Sequence, residues 1–164
     1  MNNRELSVST AEQSITAADA ITQLMDIYRR AEDFREWREH LYYHSGLDYA
    51  WMWSDIADLP SVNGTHVCLL RGGINDEHHT TSFDIDTNKM DNRITVQSDG
   101  SLGFEYTAFG EDIHTRSAVQ PNAILDKDQL DQFSRVTSAV EKSVKRAEKR
   151  HILAKYTVGL LCRK

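Results

Sequence analysis

Apolar positions in this chain change period twice. Up to about residue 60 they recur every three or four positions, then they alternate to about residue 107, and from residue 126 the helical spacing returns. In the first part, Ser9 and Glu12 have capping-box spacing, the serine oxygen accepting from a backbone N–H while the glutamate reaches back. A helix bearing Ala18, Ile21, Leu24, Met25 and Tyr28 on one face is expected to follow. The spacing of Phe34, Trp37 and Leu41 predicts a second helix, with Arg35, Glu36, Arg38 and Glu39 on its solvated side, stopped by Gly46. Leu47 to Ala57 reads as a short third helix ending before Pro60.

Turn chemistry at Val62-Asn63-Gly64 opens the alternating part. Four strands are expected: His66–Leu70, His79–Ile85, Arg93–Gln97 and Leu102–Thr107. Asp99-Gly100 is a hairpin signal, because this dipeptide suits turns with positive φ. The connections are too short for crossover helices, so the strands should pair antiparallel in chain order. Leu69, Val96 and Phe104 should then face helix side chains. Residues 108–125 read as irregular and are closed by Pro121. A long helix capped by Asp126 carries Phe133, Val136, Val140, Val144 and Ala147 as its stripe, reaching about Tyr156 before Gly159. The expected fold is α+β: N-terminal helices, a four-stranded antiparallel meander sheet, and a long C-terminal helix packed on one sheet face. Residues 1–8 read as a flexible arm and 9–164 as a single α+β domain.

Composition narrows the class. The chain has 164 residues, 40% hydrophobic and 27% charged, enough for a core without disulfides or metal. It has no apolar run of bilayer-spanning length and no secretory pattern at its start, so a cytoplasmic setting is expected. In that compartment Cys68 and Cys162 are free thiols. The net charge of −6 is unevenly spread: residues 1–60 carry eleven acids and five bases, 61–125 nine and four, and 126–164 five and ten. The acidic average argues against a general nucleic-acid binder, whereas the basic C-terminal segment reopens that question locally.

Several constellations carry candidate chemistry. Tyr49 and Trp53 belong to an aromatic-rich stretch, LYYHSGLDYAWMWSD, with more aromatic area than one core contact needs, which makes them candidate anchors for a partner. Lys142, Lys145, Arg146, Lys149 and Arg150 fall on the side of the last helix opposite its apolar stripe and form a second candidate contact, for an acidic protein surface or nucleic acid. His66, Cys68 and His79 are donors suited to zinc, although their spacing matches no standard finger. Asp84, Asp86 and Asn88 have the spacing that opens a calcium loop, but Lys89 and Thr95 stand where glycine and glutamate are required, so this is a polar hairpin turn. His79-Thr80-Thr81 resembles the His-x-Thr motif of two-histidine phosphoesterases, in which paired histidines serve as general acid and base on a phosphodiester. The second triplet, His114-Thr115-Arg116, departs from that motif at Arg116.

The sequence thus supports a small protein-binding module, without cofactor or metal, that acts through a surface on a protein partner or a second copy of the chain. A compact acidic chain of this kind suits a modulator or inhibitor of phage or mobile-element origin. The rival classes are a phosphodiester-cleaving enzyme using His79 and His114, and a nucleic-acid adaptor using the C-terminal helix.

Overall fold

The computed structural model describes residues 14–43, 52–72 and 80–161. Two helices, α1 (Ala17–Glu32) and α2 (Lys127–Leu161), flank seven strands: β1 (Glu36–Tyr43), β2 (Met52–Val62), β3 (Thr65–Gly72), β4 (Thr80–Asp86), β5 (Met90–Val96), β6 (Leu102–Ala108) and β7 (Ile113–Val119). The strands form one antiparallel sheet in chain order, β1 to β7. The α+β class and the long C-terminal helix agree with the sequence reading; the sheet has seven strands where four were expected.

The four expected strands are β3 to β6. Register places Ala57, Leu69, Phe83, Ile94 and Phe104 side by side across five strands, and all five are buried. This row is the sheet's half of the core; the other half is Ala20, Leu24 and Ile27 of α1 with Phe133, Val136, Val140 and Val144 of α2. Leu69 and Phe104 lie within that core and Val96 packs against it. At the β2–β3 turn Asn63 and Gly64 have φ of 52° and 75°, the pair of positive values that a two-residue type I′ turn requires. Between β5 and β6, Gly100 has φ of 80°, and Asp99 Oδ1 accepts from the Ser101 amide at 2.9 Å.

Three expectations about where strands lie fail. Residues 36–43 are strand β1, not a second helix. Trp37 and Leu41 are four apart, a spacing that repeats on one face of a strand as well as of a helix. Residues 52–57 are strand, not the end of a third helix, because β2 pairs with β1 and β3 along its length. Aromatic residues favour such pairing, and Tyr42 is the register partner of Trp53. Pro60 does not terminate a helix; it lies inside β2 at an irregularity between Leu59 and Val62, where the ladder needs no amide donor. Residues 113–119, expected to be irregular, form edge strand β7, exposed except at Val119. Its polar composition suits a sheet edge that must not recruit another strand. The proposed Ser9–Glu12 cap and the 1–8 arm lie outside the described residues.

Both helix starts are built by reciprocal caps. Thr16 and Asp19 form the capping box of α1, and Ala17 and Ala18 donate their amides to the carbonyls of Ala123 and Pro121. At α2, Asp126 Oδ1 accepts from the Gln129 amide at 2.9 Å while Gln129 Oε1 accepts from the Asp126 amide at 3.0 Å. From there α2 runs 35 residues, about 52 Å at 1.5 Å per residue. Gly159 lies within it, so the helix passes the break expected there.

Candidate functional site

The two faces of the sheet differ in chemistry. The helices cover the inner face, and the register of the outer face brings ionisable groups together. Asp58, Cys68, Asp84, Arg93, Glu105 and Arg116 are successive partners across β2 to β7. One step along, His66, Asp86, Asp91, Thr107 and His114 form a parallel row. Arg93 donates to Asp84 Oδ2 from Nε at 3.0 Å and from an amino nitrogen at 2.5 Å. Burial alone would lower the Arg93 pKa, but Asp84 reverses this and holds it raised. Burial, with the hydrogen bond to Asp84 second, pushes Asp91 up to about 8. Burial and the neighbouring Asp84 thus favour the protonated form of Asp91.

Burial, and after it the charge of Asp84, pushes the Cys68 thiol up to about 12. His66 faces Asp58 at 3.6 Å and Asp86 at 3.7 Å. Among the described residues no group of three His, Cys, Asp or Glu side chains could hold a metal. His79, the third proposed ligand, lies outside the described residues. His114 lies on β7, its Nδ1 2.9 Å from Thr107 Oγ1. Thr80, next in sequence to His79, begins β4 six residues before Asp86, the β4 member of the row that includes His114. Three strand spacings, about 14 Å, separate β4 from β7.

The partner-binding candidates divide. Tyr49 and the Trp53 side chain lie outside the described residues; the Trp53 backbone is in β2. Lys142, Lys145, Arg146, Lys149 and Arg150 of α2 are all exposed. Arg146 is tied down, donating to the Ser61 carbonyl at 2.9 Å, one turn from Ser143, which donates to the Pro60 carbonyl at 2.6 Å. These bonds fasten α2 to the β2 irregularity, and Arg30 of α1 pairs with Glu141 on the other flank. Burial ends at Ala147, and Phe34 meets the His151 ring at 5.5 Å. Every residue from Lys149 to Gly159 is exposed, including Ile152 at 52%, Leu153 at 65%, Tyr156 at 71% and Val158 at 60%.

At 100° per residue, Ile152, Leu153 and Tyr156 continue the side that carries Lys145 and Lys149, whereas Ala154 and Val158 continue the core stripe. This end of α2 is therefore apolar on two sides, a pattern that belongs to covered helices. Sequence reasoning found the cations but not these apolar residues, because exposure depends on where the sheet ends. The Asp84–Asp91–Arg93 cluster was also missed. Alternation about the 87–89 turn would have placed Asp84, Asp86, Asp91 and Arg93 on one face.

No protein-family model matches this chain, and neither does any curated protein or solved structure. Among the described residues, no helix is long and apolar enough to cross a membrane.

Proposed function

We propose that this protein is a binding module, without catalytic turnover, that engages an acidic protein partner through the projecting end of α2. The observation that carries this reading is the set of exposed apolar residues Ile152, Leu153, Tyr156 and Val158 on a helix that extends past the sheet. Lys142, Lys145, Lys149 and Arg150 stand upstream on the same helix, and among the described residues none has an ion-pair partner. An apolar patch beside unpaired cations suits a partner with an apolar groove rimmed by Asp and Glu. Nucleic acid would use the cations but give the apolar side chains little to bury against. A second copy joined helix to helix would set basic residues against basic residues.

The test is affinity capture with the full chain and an Ile152→Asp/Tyr156→Asp variant. Captured proteins are identified, and the interaction is rebuilt from purified components at two salt concentrations. Both substitutions sit on exposed positions, so the variant should fold. The expected result is an acidic protein that binds the wild-type chain, binds the variant at least about tenfold more weakly, and loses affinity as salt rises. The reading is overturned by equal binding of the reconstituted partner to both proteins, or by a tail dependence seen only for nucleic acid, for anionic vesicles or for self-association. The absence of any tail-dependent partner overturns it as well.

A further inference from the structure

A cleft of about 410 Å³ lies between α2 and the ends of the β2–β3 and β4–β5 hairpins. Its volume is within the range of small-molecule sites, roughly 300–1,000 Å³. The buried Val67 and Ile85 of β3 and β4 lie at its floor, and the half-buried Val62, Met90 and Ala139 give it accessible apolar lining. Ser138 lines it from α2, and so do two cations a turn apart on either side, Arg135 and Lys142. No Asp or Glu lines it. Arg135 makes no ion pair among the described residues, although it also borders a second cleft with Asp126, Asp128 and Asp131: Nε donates to the Asp131 carbonyl at 3.4 Å, and the guanidinium carbon lies 5.6 Å from the centre of the Tyr106 ring. In a chain of net charge −6, a groove bearing two cations and no acid is a local reversal of sign.

We infer that this cleft binds a small organic anion with an apolar body, the carboxylate or phosphate head meeting Arg135 and Lys142 and the body lying on Val62, Met90 and Ala139. The charge selects the head, and the lining excludes a purely inorganic anion, which would leave the apolar surface uncovered. This inference shares Lys142 with the proposed partner contact but none of that contact's apolar residues.

Three probes share one apolar body and differ in the head: decanoate, decan-1-ol and decylamine. Binding to the full chain is followed by calorimetry and by the methyl NMR signals of Val62, Met90 and Ala139. Decanoate is expected to bind one per chain and shift those signals, decan-1-ol to bind about tenfold or more weakly, and decylamine not to bind. Arg135→Gln/Lys142→Gln should weaken decanoate by about tenfold to a hundredfold and leave decan-1-ol unchanged. Ser138→Trp, which places an indole in the cleft, should block both. Ile152→Asp/Tyr156→Asp should change neither. The inference is overturned by equal affinity for the three heads, by a double variant that binds decanoate like the wild type, by signals that shift elsewhere, or by no saturable binding up to about 1 mM.

Discussion

On the outer sheet face, the side chains of Arg93 and Asp84 are 14% and 11% exposed and bind each other; on α2, Lys142, Lys145, Lys149 and Arg150 stand in solvent without an ion-pair partner among the described residues. The first pair lost its water when the sheet formed and is held by mutual attraction and hydrogen bonds. The second group kept its water and has nothing to lose until something approaches. Charge contributes to the fold in one place and is held in reserve in the other. If this contrast is sound, substitutions should divide sharply between those that lower stability and those that alter binding.

The largest effect is expected at Arg93. Arg93→Met leaves Asp84 buried without its cation, which should lower unfolding free energy by about 3–5 kcal/mol near pH 7 in urea titration. A loss under about 1 kcal/mol would mean that this pair is no more structural than a surface ion pair, and the contrast would collapse.

Next comes Asp91, whose folded-state pKa is raised to about 8 from the ordinary 3.8. Between those values the folded chain binds more protons at this group than the unfolded chain, so its contribution to stability falls as pH rises through the window. Below the window the contribution is fully present, and above it the contribution is lost. Asp91→Asn keeps a donor toward Asp84 without a titrating proton. It should flatten the decline between about pH 5 and pH 9 and be more stable than the wild type at the alkaline end. Thermal unfolding across this range checks the sign, and an unchanged pH profile in the variant would remove Asp91 from the structural set.

These two sites bear on how much of the molecule its sequence disclosed. Strands β3 to β6 were legible because their inward positions alternate and an Asp-Gly turn joins two of them. Strand β1 was not, because the four-residue step from Trp37 to Leu41 serves helix and strand alike. Strand β2 was hidden by Pro60, whose tolerance depends on a register irregularity that only pairing creates. Strand β7 was hidden by its polar edge composition. The basic stripe of α2 was visible in the residue spacing. That Arg146 had been drawn into the fold, while its neighbours had not, depends on a carbonyl 85 positions away in sequence. The Asp84–Asp91–Arg93 cluster likewise needed the register of one hairpin, and the cleft beneath Arg135 needed the placement of α2 over two.

Arg146 is the intermediate case, exposed by area yet bonded to the Ser61 carbonyl. Arg146→Ala should cost about 1 kcal/mol, the usual net value of one hydrogen bond, and Ser143→Ala somewhat more because the fully buried Ser143 serves the neighbouring Pro60 carbonyl. Urea midpoints of the two variants beside Lys149→Ala would place Arg146 on one side of the contrast. A stability equal to that of the lysine variant would return it to the solvated set.

The smallest effect on stability, and the one that most sharpens the comparison, is expected from Lys145→Ala/Lys149→Ala. Both side chains are exposed, and neither has an ion-pair partner among the described residues, so the urea midpoint should shift by no more than about 0.5 kcal/mol equivalent. If the end of α2 meets an acidic partner, the same pair should weaken that contact severalfold at low salt, chiefly through slower association, and the deficit should narrow as added salt screens the wild-type attraction. Tyr156→Ala should instead weaken the contact by a factor that salt leaves unchanged, since burial of an aromatic ring is not screened. Association rates measured at two salt concentrations for the three proteins separate these terms. A lysine effect that resists salt would point to specific buried ion pairs, and an effect of the lysines without one of Tyr156 would move the contact upstream, away from the projecting end of the helix.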